Sequence, residues 1–136
     1  PSRQEIEYMF NDLPVFFMGK MDQEALSKLM SATDAFLWPA VDEAYGMAML
    51  EAQSLGLPVV AGNSGGVSNI VRDGVTGKLT ELDNAESFSK AIVDLMADPV
   101  KLSKMGKQAR HTVEREHSIK EASQQINTAL MRLVDG

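Results

Sequence analysis

The sequence predicts an α/β fold, a Rossmann-like parallel sheet with helices on both faces. Short apolar runs alternate with stretches of helical periodicity, the pattern of strand–helix–strand units. The runs stop at glycine or proline, at Gly19, Pro39 and Gly62. From Asp83 onward the chain reads as helix throughout.

Residues 14–18 read as a buried strand ended by Gly19. Asp22 then caps a helix in which Leu26, Leu29 and Met30 keep helical spacing. Residues 35–38 form the next strand, stopped by Pro39, which has no N–H for a central ladder. A polar loop leads into a helix over 46–55, with Gly56 as its C-terminal stop. Residues 58–61 are the third strand and run into Gly62, Asn63, Ser64, Gly65 and Gly66, a loop more flexible than stability requires. A short helix over 67–71 follows, then turn signals at Asp73, Gly74, Thr76 and Gly77 around a last strand near 78–80.

Asp83 and Glu86 fit the N-cap and N3 positions of a helix whose apolar face is Phe88, Ala91, Ile92, Leu95 and Met96. Asp98 and Pro99 restart the helix, with proline at its first position. Ser118 and Glu121 make a capping box that opens a separate final helix, striped by Ile119, Ala122, Ile126, Leu130 and Leu133.

The 136 residues suit one domain, and 44% hydrophobic content suffices for one core. A formal net charge of −6, from 19 acidic and 13 basic residues, argues against nucleic acid or an anionic membrane as the main partner. It leaves room for a small anionic ligand held by backbone N–H groups. The chain has no cysteine, which rules out disulfides and thiolate metal sites and fits a cytoplasmic setting. No apolar run approaches the ~20 residues of a membrane helix. Because it opens on Pro1, the chain is expected to be a single, N-terminally truncated domain.

Three loops, at 19–21, 39–46 and 62–66, leave the carboxyl ends of the expected strands, where parallel sheets bind ligands. The second contains Glu43 and runs into the helix that carries Glu51. Free amides at Gly46, Met47 and Ala48 suit a phosphate, and Gly46 permits close approach. Two flanking carboxylates accept hydrogen bonds from vicinal hydroxyls, as sugars and riboses offer them. Spacing alone is weak, since ten glutamates in 136 residues give about one such pair by chance. On spacing alone, two solvated glutamates bracketing an amphipathic helix are the better explanation.

The order of motifs is more specific. Phe17, Met18 and Gly19, then residues 35–39, 43–51 and 52–61, then Gly65 and Gly66, then residues 73–77 closely resemble the C-terminal domain of group 1 retaining glycosyltransferases of the GT-B fold. The resemblance covers nearly the whole chain. It implies that Glu43 contacts hydroxyls of the donor sugar as a catalytic residue and that Glu51 holds the nucleotide ribose. It also implies that Tyr45 and Gly46 belong to the donor motif, with the amides of Met47 and Ala48 on the distal phosphate. Gly19, Lys20 and Met21 would border the nucleobase, and Gly65 and Gly66 the donor pocket. The chain departs from the family pattern at Ala40, Ala44 and Asn69, positions that bear on the donor sugar.

The reaction so implied moves a sugar from a nucleoside diphosphate sugar to an acceptor hydroxyl with retention, without metal or other cofactor. Alternatives are a nucleotide-sugar binding module without catalysis and a non-hydrolysing sugar-nucleotide epimerase. The implied phosphate-binding Arg and Lys lie before Pro1, so residues 1–136 alone are expected to bind donor weakly without turnover. The partners expected are the donor and the N-terminal domain of the same enzyme, through which any peripheral membrane contact would be made. An uncovered edge at 14–18 would invite pairing of two copies. His111 and His117 read as surface histidines, and the Gly74 to Lys78 run, which hints at a P-loop but lacks its Ser/Thr and spacing, reads as a turn before an edge strand.

Overall fold

Three short strands, each entered after a helix or turn, form one parallel sheet in the computed structural model, which describes residues 2–9, 11–39 and 46–135. The elements are α1 (Arg3–Met9), α2 (Gln23–Ser31), β1 (Phe36–Trp38), α3 (Gly46–Ser54), β2 (Val59–Gly62), α4 (Val67–Ile70), β3 (Gly77–Thr80), α5 (Ala85–Met96) and α6 (Pro99–Asp135). The strands lie in the order β1-β2-β3, with Phe36 beside Val59 and Val59 beside Gly77. Every residue of β2 is buried, as a central strand covered on both faces requires.

Alternation along β2 divides the core. Val59 and Ala61 face a cluster with Met30 of α2, Met49 and Ala52 of α3, and Val67 of α4. Val60 faces the opposite cluster, with Leu95 of α5 and Met105 of α6. The expected helices on both faces are therefore present. Fully burying a side chain such as Met49 or Leu95 contributes about 1.5–3 kcal/mol.

Local signals hold where expected. The Asp22 side chain accepts from the Ala25 N–H at 2.8 Å and caps α2. Gly56 closes α3 at φ +81, and its carbonyl lies so near Gly106 of α6 that a Cβ there would sit 2.3 Å from it. Gly106 thus lets α6 reach the amino end of β2. Asp98 caps the start of α6, accepting from the Lys101 N–H at 3.1 Å.

Four expectations need correction or addition. Residues 14–18 form no strand: they begin in a bend at Pro14 and are exposed, Phe16 at 81%, and none of the described strands runs beside them. An apolar run becomes a strand only when a ladder satisfies its backbone, so pairing of two copies through an edge strand at 14–18 loses its basis. The cap of α5 is Asn84, whose side chain accepts from the Ser87 N–H at 2.9 Å, while Asp83 takes φ +53 in the preceding turn. No new helix opens at Ser118. With no glycine or proline between Gly106 and Gly136, α6 runs unbroken for 37 residues, because nothing in that stretch stops propagation. Finally, α1 has no counterpart in the sequence reading, though Ser2 and Glu5 form a reciprocal capping box.

Candidate functional site

Parallel pairing brings the carboxyl ends of β1, β2 and β3 to one side of the sheet, at Pro39, Gly62 and Thr80. A cavity of about 380 Å³ lies there, bordered by these three residues and by Asp83, Asn84 and Phe88 at the start of α5. On the other face of the sheet α3 begins at Gly46. The first amides of an α-helix have no partner within it, so those of Gly46, Met47 and Ala48 form a positive helix end. Met47 and Gly46 are described by their backbone only, and Glu43 and Tyr45, like Ala40 and Ala44, lie outside the described residues.

Glu51 stands on the second turn of α3, half-buried. Its Oε1 accepts a hydrogen bond from the Ser27 hydroxyl at 2.7 Å and another from the Gln23 side-chain amide. Ser27 first and Gln23 second hold the carboxyl below its ordinary pKa, against a smaller opposing effect of burial. Glu51 is therefore an anion at neutral pH. Ser27 and Gln23 are one helical turn apart on α2, and the same helix sends Leu26 and Met30 into the core with Met49 and Ala52. Core packing thus sets the register of α2 against α3, and that register delivers both donors to one carboxylate.

The remaining expected residues fall into two groups. Gly19, at φ +67, with Lys20 and Met21, leads directly into the Asp22 cap, so these residues border the turn that touches Glu51. They leave no strand, contrary to expectation. Gly65, at φ +43, and Gly66, at the N-cap position of α4, follow β2. The positive φ explains the glycine at 65, because an L side chain is disfavoured there. Between them and β2 lies Ser64, whose buried hydroxyl has no partner among the described residues. On α3 itself, the buried Gln53 donates to the Ile70 carbonyl at 3.0 Å and ties α3 to the end of α4.

Sequence reasoning missed Gln23, Ser27 and Ser64. The first two were findable as a polar i, i+4 pair beside the apolar face of α2; no local signal marks Ser64. The surface reading holds for His111, which is exposed; beside it Arg110 pairs with Glu114 at 3.0 Å in solvent. The stretch from Gly74 to Lys78 is a turn entering β3. Among the described residues no cluster of three His, Asp or Glu is placed to hold a metal ion, and no helix is long and apolar enough to cross a membrane.

The family model of the group 1 glycosyl transferases matches residues 5–112. The chain belongs to that family. It is 32% identical over 118 residues to the sulfoquinovosyl transferase SQD2 of Arabidopsis thaliana, covering 85% of this chain and 23% of that protein. A GDP-mannose-dependent monoacylated alpha-(1-6)-phosphatidylinositol monomannoside mannosyltransferase of Corynebacterium glutamicum is 34% identical over 111 residues, covering 76% of this chain and 29% of that protein. The chain thus spans about a quarter of the length of the curated relatives it matches.

Solved structures agree. Sucrose-phosphate synthase from Thermosynechococcus elongatus superposes with a TM-score of 0.78 at 29% identity, over 95% of this chain and 34% of that one. Anabaena Alr3699/HepE in complex with UDP-glucose gives 0.77 at 26%, over 93% of this chain and 36% of that one. The C-terminal domain of a group 1 glycosyl transferase from Francisella tularensis shares the fold, with a TM-score of 0.72 at 20% identity, over 85% of this chain and 62% of that one. The fold is that of a GT-B C-terminal domain, as the motif order implied.

Proposed function

We infer that this domain holds the donor of a glycosyltransferase, which moves a sugar from a nucleoside diphosphate sugar to an acceptor hydroxyl with retention. The observation that carries the reading is the Glu51 carboxylate, ionised and fixed by Ser27 and Gln23 on the helix that opens at Gly46. A fixed anion suits the vicinal hydroxyls of a ribose, and the helix end suits the diphosphate. The structure of a relative in complex with UDP-glucose supports a donor of this class. Glu43 would meet the donor sugar, and Gly65 and Gly66 would border it, as the family resemblance implies.

The chemistry follows from charge. Cleaving the glycosidic bond leaves negative charge on the diphosphate. The amides at Gly46, Met47 and Ala48 then gain as that charge develops, without reorganising. Retention rests on the resemblance.

The test uses the full-length protein with UDP-, GDP- and ADP-sugars, read by thermal shift and by NMR of the product's anomeric centre. One nucleotide class should stabilise the protein, by about 2.7 kcal/mol at a hundred times its Kd. Glu51→Ala should remove that stabilisation, and product should form with the donor's anomeric configuration. No response to any class would overturn the reading. So would donor converted without transfer to an acceptor, the mark of an epimerase, or a shift with neither transfer nor slow donor hydrolysis, the mark of a binding module.

A further inference from the structure

Both hydrogen bonds to Glu51 come from one face of α2, and both end on the same oxygen. Gln23 and Ser27 donate to Oε1. A carboxylate can accept about four hydrogen bonds over its two oxygens. Oε2 has no partner among the described residues and keeps its full accepting capacity. The donors sit on a helix whose start Asp22 caps and which buries Met30, with Leu26 packed beside it, in the core cluster. On the same helix, Glu24 and Lys28 form an exposed ion pair that takes no part in holding Glu51.

We propose that Gln23 and Ser27 are positioning residues for ribose recognition, anchoring Glu51 through Oε1 so that Oε2 is presented to the vicinal hydroxyls. This rests on the reading of Glu51 as the ribose holder and names what gives that residue its selectivity. A free glutamate loses rotamer entropy when it engages a ligand, whereas an anchored one has lost it on folding. Holding one oxygen by protein donors also fixes the carboxylate plane, and with it the directions in which the other oxygen can accept. Discrimination between ribose and deoxyribose therefore depends on α2, an element that need not touch the ribose itself.

The test is calorimetric binding of UDP, GDP and ADP to the full-length protein, followed by the 2′-deoxy and 3′-deoxy forms of whichever binds most tightly. The wild type should prefer the ribonucleotide by about tenfold, the value of a hydrogen bond to a charged group. Ser27→Ala and Gln23→Ala should each shrink that preference by about threefold, since the site is partly open to solvent. The loss should fall on the ribonucleotide, with affinity for the deoxy forms unchanged. Ser27→Thr, which keeps the hydroxyl, should retain the preference. In a Glu51→Ala background, Ser27→Ala should change nothing further. Gln23 is exposed, so its truncation leaves the core intact and reads positioning apart from folding. A preference that needs Glu51 yet survives both α2 substitutions would overturn the positioning role and leave the ribose reading standing. A wild type indifferent to the ribose hydroxyls, or a preference that survives Glu51→Ala, would overturn both.

Discussion

At the junction of α2 and α3, Met30, Met49 and Ala52 are buried together, whereas Ile126, Leu130 and Leu133 on the far half of α6 stay more than half exposed. Both α2 and the far half of α6 have amphipathic sequence, yet only α2 has its stripe covered. Periodicity states which face of a helix is apolar, and it is silent on what meets that face. The junction also shows how packing serves chemistry. Because Met30 of α2 is buried with Met49 and Ala52 of α3, the polar face of α2 meets Glu51. Among the described residues, the apolar stripe of the far half of α6 meets no such cover.

The largest expected effect separates the two regions directly. Met49→Ala should cost about 2–5 kcal/mol of unfolding free energy in denaturant titration. Leu133→Ala, at a position 79% exposed, should stay within about 0.5 kcal/mol. Comparable losses in the full-length protein would show that the far stripe of α6 is covered there. A smaller effect belongs to the caps. Asp22→Ala should cost about 1 kcal/mol and weaken nucleotide binding by loosening α2. Asn84→Ala should cost a similar ~1 kcal/mol in thermal unfolding and leave the titration of Glu51 unchanged, since α5 packs on the other face of the sheet from α2 and α3.

The smallest effect is in pH. The Glu51 carboxyl is held below its ordinary pKa by Ser27 and then Gln23. Its stabilising contribution is therefore complete above the ordinary value and is lost as pH falls through the depressed one. An NMR titration of side-chain carboxyls should find Glu51 holding its charge to lower pH than an ordinary glutamate. In Ser27→Ala its titration should move back up, and an unchanged titration would break the link between α2 and Glu51.

Much of this was legible from local chemistry. The Asp22 cap and the Gly56 stop depend on residues within a few positions of one another, and the strands around 36–38, 59–62 and 77–80 are marked by short apolar runs with turn signals beside them. What failed depended on partners. Residues 14–18 have strand composition, but a strand needs a neighbour, and composition cannot supply one. Ser118 and Glu121 have the letters of a capping box, yet the same letters are tolerated inside a helix once the preceding turns propagate into them. The α5 cap fell one residue later than read because Asp83 and Asn84 are both competent caps and turn formers.

The site divided in the same way. Glu51 was found because motif order marked it, although its two anchors on α2, 24 and 28 residues away in the chain, were not. Only packing brings Gln23 and Ser27 to it. The i, i+4 spacing marks Gln23 and Ser27 as a polar pair on α2, but nothing local says that Glu51 is what they meet.

The most direct test is a crystal structure of the full-length protein with a bound nucleoside diphosphate. A ribose hydroxyl should lie within about 3.2 Å of Glu51 Oε2, Oε1 should still be held by Ser27 and Gln23, and the distal phosphate should sit on the amides of Gly46, Met47 and Ala48. A nucleotide bound elsewhere, or one whose ribose turns away from Glu51, would contradict the account at its centre.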